Sequence, residues 1–158
     1  MREGVIPKDW SELPAIPDPQ KAKWYAEFAD HLVGSGLHTQ PENRLTLASV
    51  MQRLPSRERW TIAKQLVEHA EDANDRQQPL MIWYGIEPAV AAEPMKGVEL
   101  IREAKIPTVR RLVARRIAEM IEDKPEAVDA LVALMTERAE VREDVLAGMA
   151  AAPAGDRR

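Results

Sequence analysis

The apolar positions of the chain recur at three- and four-residue spacing between prolines. That pattern predicts a succession of short amphipathic helices. Trp24, Phe28 and Leu32 fall at i, i+4 and i+8 and mark a first helix over residues 20–33, stopped by Gly34, Ser35 and Gly36. Pro41 suits the first turn of a second helix over 41–54, with Leu45, Ala48 and Met51 facing inward, and Pro55 ends it. Ser56 is a favourable N-cap for a third helix to about residue 70, whose apolar stripe is Trp60, Ala63, Leu66, Val67 and Ala70. Residues 71–79 read as a polar loop. The most apolar run of the chain follows, over 80–86. Periodicity alone does not separate a buried helix from a strand there. A lone strand would find no partner in a helical chain, so the run predicts a buried helix of about ten residues ending near Val90. Pro88 is compatible with it only beside a kink or a terminus.

Prolines then punctuate the rest. Pro94 opens a helix over 94–105 with Met95, Val98 and Ile101. Pro107 opens the clearest one, over 107–121, with Val109, Leu112, Val113, Ile117 and Met120. Pro125 opens another with Val128, Leu131, Val132 and Met135, and a last helix over 141–151 carries Val145, Leu146 and Met149. Short turns imply antiparallel neighbours. The helix pairs near 41–70, 80–105 and 107–136 recur loosely at about 35–45 residues, the HEAT or armadillo period. The expected fold class is all-α: a HEAT-like helical repeat, or an irregular antiparallel bundle, of seven to eight helices. Residues 1–19, with Pro7, Pro14, Pro17 and Pro19, read as a proline-rich arm, 20–151 as the helical domain and 152–158 as a frayed tail. In the arm, Val5, Ile6, Trp10, Leu13 and Ile16 suit either the domain's own helices or a neighbouring surface.

Composition narrows the function classes. The length of 158 residues fits one domain, and 45% hydrophobic with 30% charged residues describes a globular chain. A net charge of −4 argues against a general nucleic-acid binder. The absence of cysteine excludes disulfides, thiolate zinc sites, iron–sulfur clusters and a C-x-x-C-H haem attachment within this sequence. No signal-type apolar run opens it, and no stretch approaches the ~18 apolar residues of a membrane span, so neither an export signal nor membrane insertion is expected.

The residues that carry chemistry are few. Arg110, Arg111, Arg115 and Arg116 crowd one helix, with Arg102 and Lys105 just before it. Such a stripe holds phosphates or an acidic partner, or else pairs with carboxylates such as Glu87, Glu103 and Glu119 and ties helices together. Glu71, Asp72, Asn74 and Asp75 concentrate oxygen ligands, but without the EF-hand glycine and distal glutamate they read as a solvated loop or helix cap. His31, His38 and His69 are scattered, so no metal site is expected, and His69 near a helix end suits the dipole. Trp83, Tyr84 and Glu87 line a pocket or pack in the core with their polar atoms satisfied internally. No nucleophile elbow, Walker loop or dinucleotide fingerprint occurs. The candidate interaction surface is therefore Arg102, Arg110, Arg111, Arg115, Arg116, Trp83, Tyr84 and Glu87, with no catalytic, cofactor or metal residue.

The block from Pro79 through Trp83, Tyr84 and Gly85 to Pro88 resembles a known family when joined to three further stretches. These are Lys105-Ile106-Pro107 with Arg110–Arg116, then Arg59-Trp60 with the run from His69 to Asp75, then Leu146-Ala147-Gly148-Met149. Over about residues 40–150 the chain is similar to the helical middle segment of the membrane-associated dehydrogenase and haem-binding proteins of Planctomycetes and Verrucomicrobia. In that family a dehydrogenase-like β-propeller precedes the helical region and a c-type cytochrome domain follows it. The resemblance implies a periplasmic or otherwise exported redox protein. In it this segment is a non-catalytic scaffold docking the propeller and the cytochrome c domain, with no cofactor of its own. No family catalytic residue maps onto it. The alternatives are a stand-alone binding module that offers its arginine-rich helix to an anionic ligand or nucleic acid, and a small hydrolase assembled around Trp83, Tyr84, Glu87 and His69. A large exposed apolar patch favours the scaffold. Arginines converging on a concave surface favour the binding module.

Overall fold

The computed structural model describes residues 19–153. The proline-rich arm, apart from Pro19 at the start of the first helix, and the last five residues of the tail lie outside the described residues, and with them the expectations for Val5, Ile6, Trp10, Leu13 and Ile16. The described chain is all-helical: α1 Pro19–Gly34, α2 Pro41–Met51, α3 Ser56–Val67, α4 Gln78–Ala92, α5 Pro94–Glu103, α6 Pro107–Glu119, α7 Pro125–Glu137 and α8 Arg142–Ala151. Short 3-10 turns, Leu37–Thr39, Ala70–Asn74 and Ala139–Val141, lie between some of them. No helix among the described residues is long and apolar enough to cross a membrane.

The break points follow from proline chemistry. Proline at the first or second helical position gives up an N–H that has no partner there anyway, and it starts α2, α4, α5, α6 and α7 in this way. The preceding residue is pushed out of helical geometry by the proline ring. Gln40, Glu93, Ile106 and Lys124 all leave the helical region (φ/ψ −96/125°, −133/68°, −106/106° and −136/56°).

The helices form two layers. In the odd layer α1 packs on α3, α3 on α5 and α5 on α7; in the even layer α2 packs on α4, α4 on α6 and α6 on α8. The core lies between the layers, with Met51, Ile62, Leu66, Ile82, Ile86, Leu100, Ile117 and Leu131 fully buried. Helix α4 is central, touching α2, α3, α5 and α6.

Several expectations shift. Pro55, not Ser56, holds the position before α3, and no side-chain cap forms. Helix α3 ends at Val67, so Ala70 leaves the buried stripe for an exposed 3-10 turn. Helix α4 has 15 residues, with Pro88 inside it. Its ring faces outward, and the buried positions Ile82, Gly85, Ile86, Ala89 and Val90 keep the helix packed on both sides of the missing bond. Leu45, Met95, Val132, Leu146 and Trp24 are exposed rather than inward. In α2 the buried stripe is Arg44, Leu47, Ala48 and Met51, an i, i+3, i+4, i+7 set that turns the neighbouring Leu45 outward.

Glycine allows two close approaches in the even layer. A Cβ on Gly148 of α8 would collide with the backbone oxygen of Arg111 and would crowd the Ala114 methyl at 2.8 Å. A Cβ on Gly85 of α4 would meet the far end of the Met51 side chain at 2.5 Å. Backbone does not yield, whereas a methionine terminus can rotate. Gly148→Ala is therefore expected to destabilise the fold by about 1–3 kcal/mol through overpacking. Gly85→Ala should cost less. Urea denaturation of both variants checks the ranking; equal losses would contradict it.

Candidate functional site

The arginines of α6 are divided between neighbours. Arg116 reaches back to Glu87 of α4 at 3.1 Å, and Arg110 and Arg111 both reach forward to Asp144 of α8, at 3.0 and 3.3 Å. Arg115 pairs with Glu119 one turn on, at 3.0 Å. Arg102 lies in the odd layer and joins Glu137 of α7 at 2.7 Å and Glu99 at 3.5 Å. These arginines stitch helices together. Glu87 and Glu119 take part as expected, while Asp144, Glu137 and Glu99 occupy the role foreseen for Glu103. Exposed pairs of this kind are worth about 0.2–1 kcal/mol each. Arg110 with Asp144 is the most sheltered, and Arg110 also donates to the carbonyls of Ala104 and Glu140.

Five of the eight candidate surface residues do come together. Trp83, Tyr84, Glu87, Arg115 and Arg116, with Leu112 and Glu119, line a shallow depression of about 490 Å³ between α4 and α6. Arg102, Arg110 and Arg111 do not join it. The core alternative for Tyr84 is overturned: it is 58% exposed, because its position on α4 is opposite the buried face of Ile82 and Ile86. Trp83 is half-buried against the core. Neither Trp83 N–H nor Tyr84 O–H has a hydrogen-bond partner among the described residues, so neither is satisfied internally.

Tyr84 also borders a second, larger depression of about 650 Å³ between α2 and α4. Leu45, Val50, Leu80 and Met81 make it apolar, Thr46, Ser49 and Gln77 add polar atoms, and Arg53 and Arg76 border it. Leu45 and Leu80 are 37% and 40% exposed here. The sequence pattern conceals this groove because it places Leu45 and the apolar run over 80–86 inward. The usable signal was the stripe Arg44, Leu47, Ala48 and Met51, which leaves Leu45 on the outer side of α2.

At the edge of the even layer, Arg44 is a buried cation, only 2% exposed. Its Nε and Nη2 donate to the two oxygens of Asp72, at 2.6 and 2.7 Å, and Nη1 donates to the His38 carbonyl at 3.3 Å. The bond to Asp72 holds its proton more tightly than in a free arginine. His38 and His69 are far apart in sequence, yet His38 Nδ1 lies 3.2 Å from His69 Nε2, and His69 Nδ1 lies 3.0 Å from Glu71. His69 therefore turns to a carboxylate and a second imidazole rather than to a helix end. Glu71 is held below its ordinary carboxyl range by backbone hydrogen bonding and then by His69. A chain of carboxylate, imidazole and imidazole can relay a proton, but no hydroxyl or other nucleophile bonds to its His38 end among the described residues. His69 does not line either depression, so the hydrolase arrangement with Trp83, Tyr84 and Glu87 does not form. No group of three or more metal-ligating side chains occurs among the described residues.

The acidic loop is a set of internal contacts. Asp72 holds Arg44, Glu71 holds His69, and Asp75 Oδ1 accepts from the N–H groups of Gln77 and Gln78, at 2.8 and 2.7 Å, at the start of α4.

Arg44→Met leaves the sheltered Asp72 carboxylate without its cation and is expected to cost about 3–5 kcal/mol. Arg44→Met combined with Asp72→Leu should recover much of that loss, since an apolar pair can replace a buried ion pair. Denaturant titration of the single and double variants decides; a double variant no better than the single would refute it. For Asp75, the two N–H donors lower the folded-state pKa below the ordinary value. A depressed carboxylate stabilises the fold above its unfolded pKa, about 3.9, and loses that contribution as pH falls through the folded value. Asp75→Ala should thus lower the melting temperature at pH 7, with the gap to the parent chain shrinking as pH drops below about 4. A gap constant from pH 7 to pH 2 would contradict this.

The chain matches no family model, no curated protein and no solved structure.

Proposed function

We propose that the chain is a non-catalytic helical scaffold that docks neighbouring modules of a larger exported redox protein, a dehydrogenase-like propeller and a cytochrome c domain. The observation that carries the docking part is the outer face of α2, α4 and α6. There Leu45, Leu80 and Tyr84 are exposed side by side over two adjoining depressions. Exposed large apolar groups gathered on one face suit a contact surface. The alternating two-layer stack supports a HEAT-like reading, because such stacks offer one long helix layer to partners. The redox setting rests on the resemblance of the Trp83-Tyr84-Gly85 block and its companions. The rival reading, in which the α6 arginines bind an anion or nucleic acid, is weakened by their pairing with Glu87, Glu119 and Asp144.

The test uses the lack of cysteine. Tyr84→Cys places one thiol on the proposed face, and its reaction rate with a maleimide reports shielding. In the protein encoded by the whole reading frame, the rate should fall at least about tenfold relative to the isolated chain, an occlusion equivalent to about 1.4 kcal/mol. That reading frame should also encode a propeller before this segment and a C-x-x-C-H after it. An unshielded thiol would remove the docking face, and a frame with neither module would remove the redox setting.

A further inference from the structure

The three gaps along the even layer differ in how their charges are disposed. Between α6 and α8 the helices are in close contact, because Gly148 brings α8 onto the Arg111 backbone. Between α4 and α6 the depression is crossed by Arg116 with Glu87, and Arg115 is held by Glu119. Between α2 and α4 the floor is apolar and the two bordering cations, Arg53 and Arg76, have no carboxylate within ion-pair distance among the described residues. The larger and more apolar of the two depressions is thus the one whose arginines are left uncompensated.

Their placement is specific. Helices α2 and α4 run side by side in the same direction: Arg44, early in α2, meets Asp72, just ahead of α4. At the other end Met51 and Gln52 meet Gly85. Arg76 therefore stands at one end of the groove, beside Leu45, and Arg53 at the other, beside Tyr84. The lining side chains follow the helices in pairs, Leu45 and Ser49 on α2 and Leu80 and Tyr84 on α4, each at i, i+4, with Arg53 two residues past the end of α2 and Arg76 two residues before the start of α4. Two such pairs form the furrow into which the side-chain ridge of a further helix packs. Each helical pair spans about 6 Å at 1.5 Å per residue, and the two arginines extend the furrow beyond its ends.

We propose that this groove binds an acidic amphipathic helix of a partner polypeptide. Its apolar residues would fill the centre over Leu45, Leu80 and Tyr84, and two carboxylates about two turns apart would meet Arg76 and Arg53. On a helix that pattern is Glu-x-x-Φ-Φ-x-x-Glu, where Φ is a large apolar residue, since i, i+3, i+4 and i+7 share a face. The inference rests on the docking reading above and names the chemistry of one occupant. Failure of peptide binding with Tyr84 still shielded in the whole protein would remove the acidic helix and keep the docking face.

The experiment is a selection from displayed helical peptides against the full chain. One library is fixed as Glu-x-x-Φ-Φ-x-x-Glu, and a matched library carries lysine at both charged positions. Enriched peptides are then titrated by fluorescence anisotropy against the parent chain and against the Arg53→Glu, Arg76→Glu double variant, whose melting temperature should be unchanged because both side chains are exposed. The expected result is enrichment from the glutamate library alone, at least tenfold weaker binding to the double variant, and recovery of that loss with lysine peptides. No enrichment, equal enrichment from both libraries, or an affinity indifferent to the arginine reversal would overturn the proposal. Binding of palmitate or phosphatidylglycerol vesicles without any peptide would overturn it in favour of a lipid. A dimer abolished by Tyr84→Asp and unaffected by peptide would overturn it in favour of a second copy.

Discussion

The guanidinium of Arg59 donates to three backbone carbonyls: Gln52 and Leu54 at the turn between α2 and α3, at 3.0 and 2.7 Å, and Gly85 in the middle of α4, at 2.8 Å. The Gln52 and Leu54 carbonyls lie past the end of α2, have no partner within it and cost free energy if sheltered from water. One planar cation with several donors satisfies them together, which lysine's single ammonium cannot do in the same geometry. Partial burial makes Arg59 give up its proton more readily than a free arginine. The contact sets where α4 lies against α2. Gly85 then brings α4 onto Met51, and the two helices meet closely at that end.

From that contact outward, the even layer is assembled by different means at each gap. Backbone closeness at Gly148 binds α8 to α6, and ion pairs bind α6 to α4. Between α4 and α2 the Arg59 bonds close one end, and Arg44 with Asp72 closes the other. The span between these two anchors is the open groove. Its exposed leucines lie between two fixed points and cannot close on one another without breaking one of the contacts. An apolar opening held apart at both ends is pre-organised for an occupant, which lowers the ordering cost of binding.

Much of the helical organisation could be read in the sequence because proline leaves little freedom. Pro41, Pro94, Pro107 and Pro125 mark helix starts by a covalent restriction that tertiary context does not override. The faces were less legible. Arg44 carries no apolar signal, and a charge is rarely buried without a partner. Its partner Asp72 lies 28 residues on, in a loop whose acidity suggested solvent or a cation. Ala48 and Met51 lie on the buried stripe of α2 as the pattern implies, but Arg44 and Leu47 complete it and Leu45 turns outward. That hid the groove. The pairing of His38 with His69 spans 31 residues and has no local signature, so only the packing of two 3-10 turns reveals it. Arg102, Arg110 and Arg111 stand close to the site arginines in sequence but not in space, since Arg102 turns to Glu137 of α7 and Arg110 and Arg111 turn together to Asp144 of α8.

The distribution of charge bears on function more than the number of charges does. The α6 helix is rich in arginine, yet an incoming phosphate or carboxylate would have to displace Glu87, Glu119 or Asp144 from them, surrendering roughly what the new contact supplies. Arg53 and Arg76 face no such competition. An anionic group that reaches them gains an attraction the folded chain does not already use, strengthened where the apolar floor excludes water. Selectivity would come from coupling the two: a purely apolar helix leaves the arginines unmatched, and a purely acidic one leaves Leu45, Leu80 and Tyr84 facing water. Only a ligand with both features, spaced to the groove, satisfies the site, so its position follows from which arginines the fold leaves without a carboxylate.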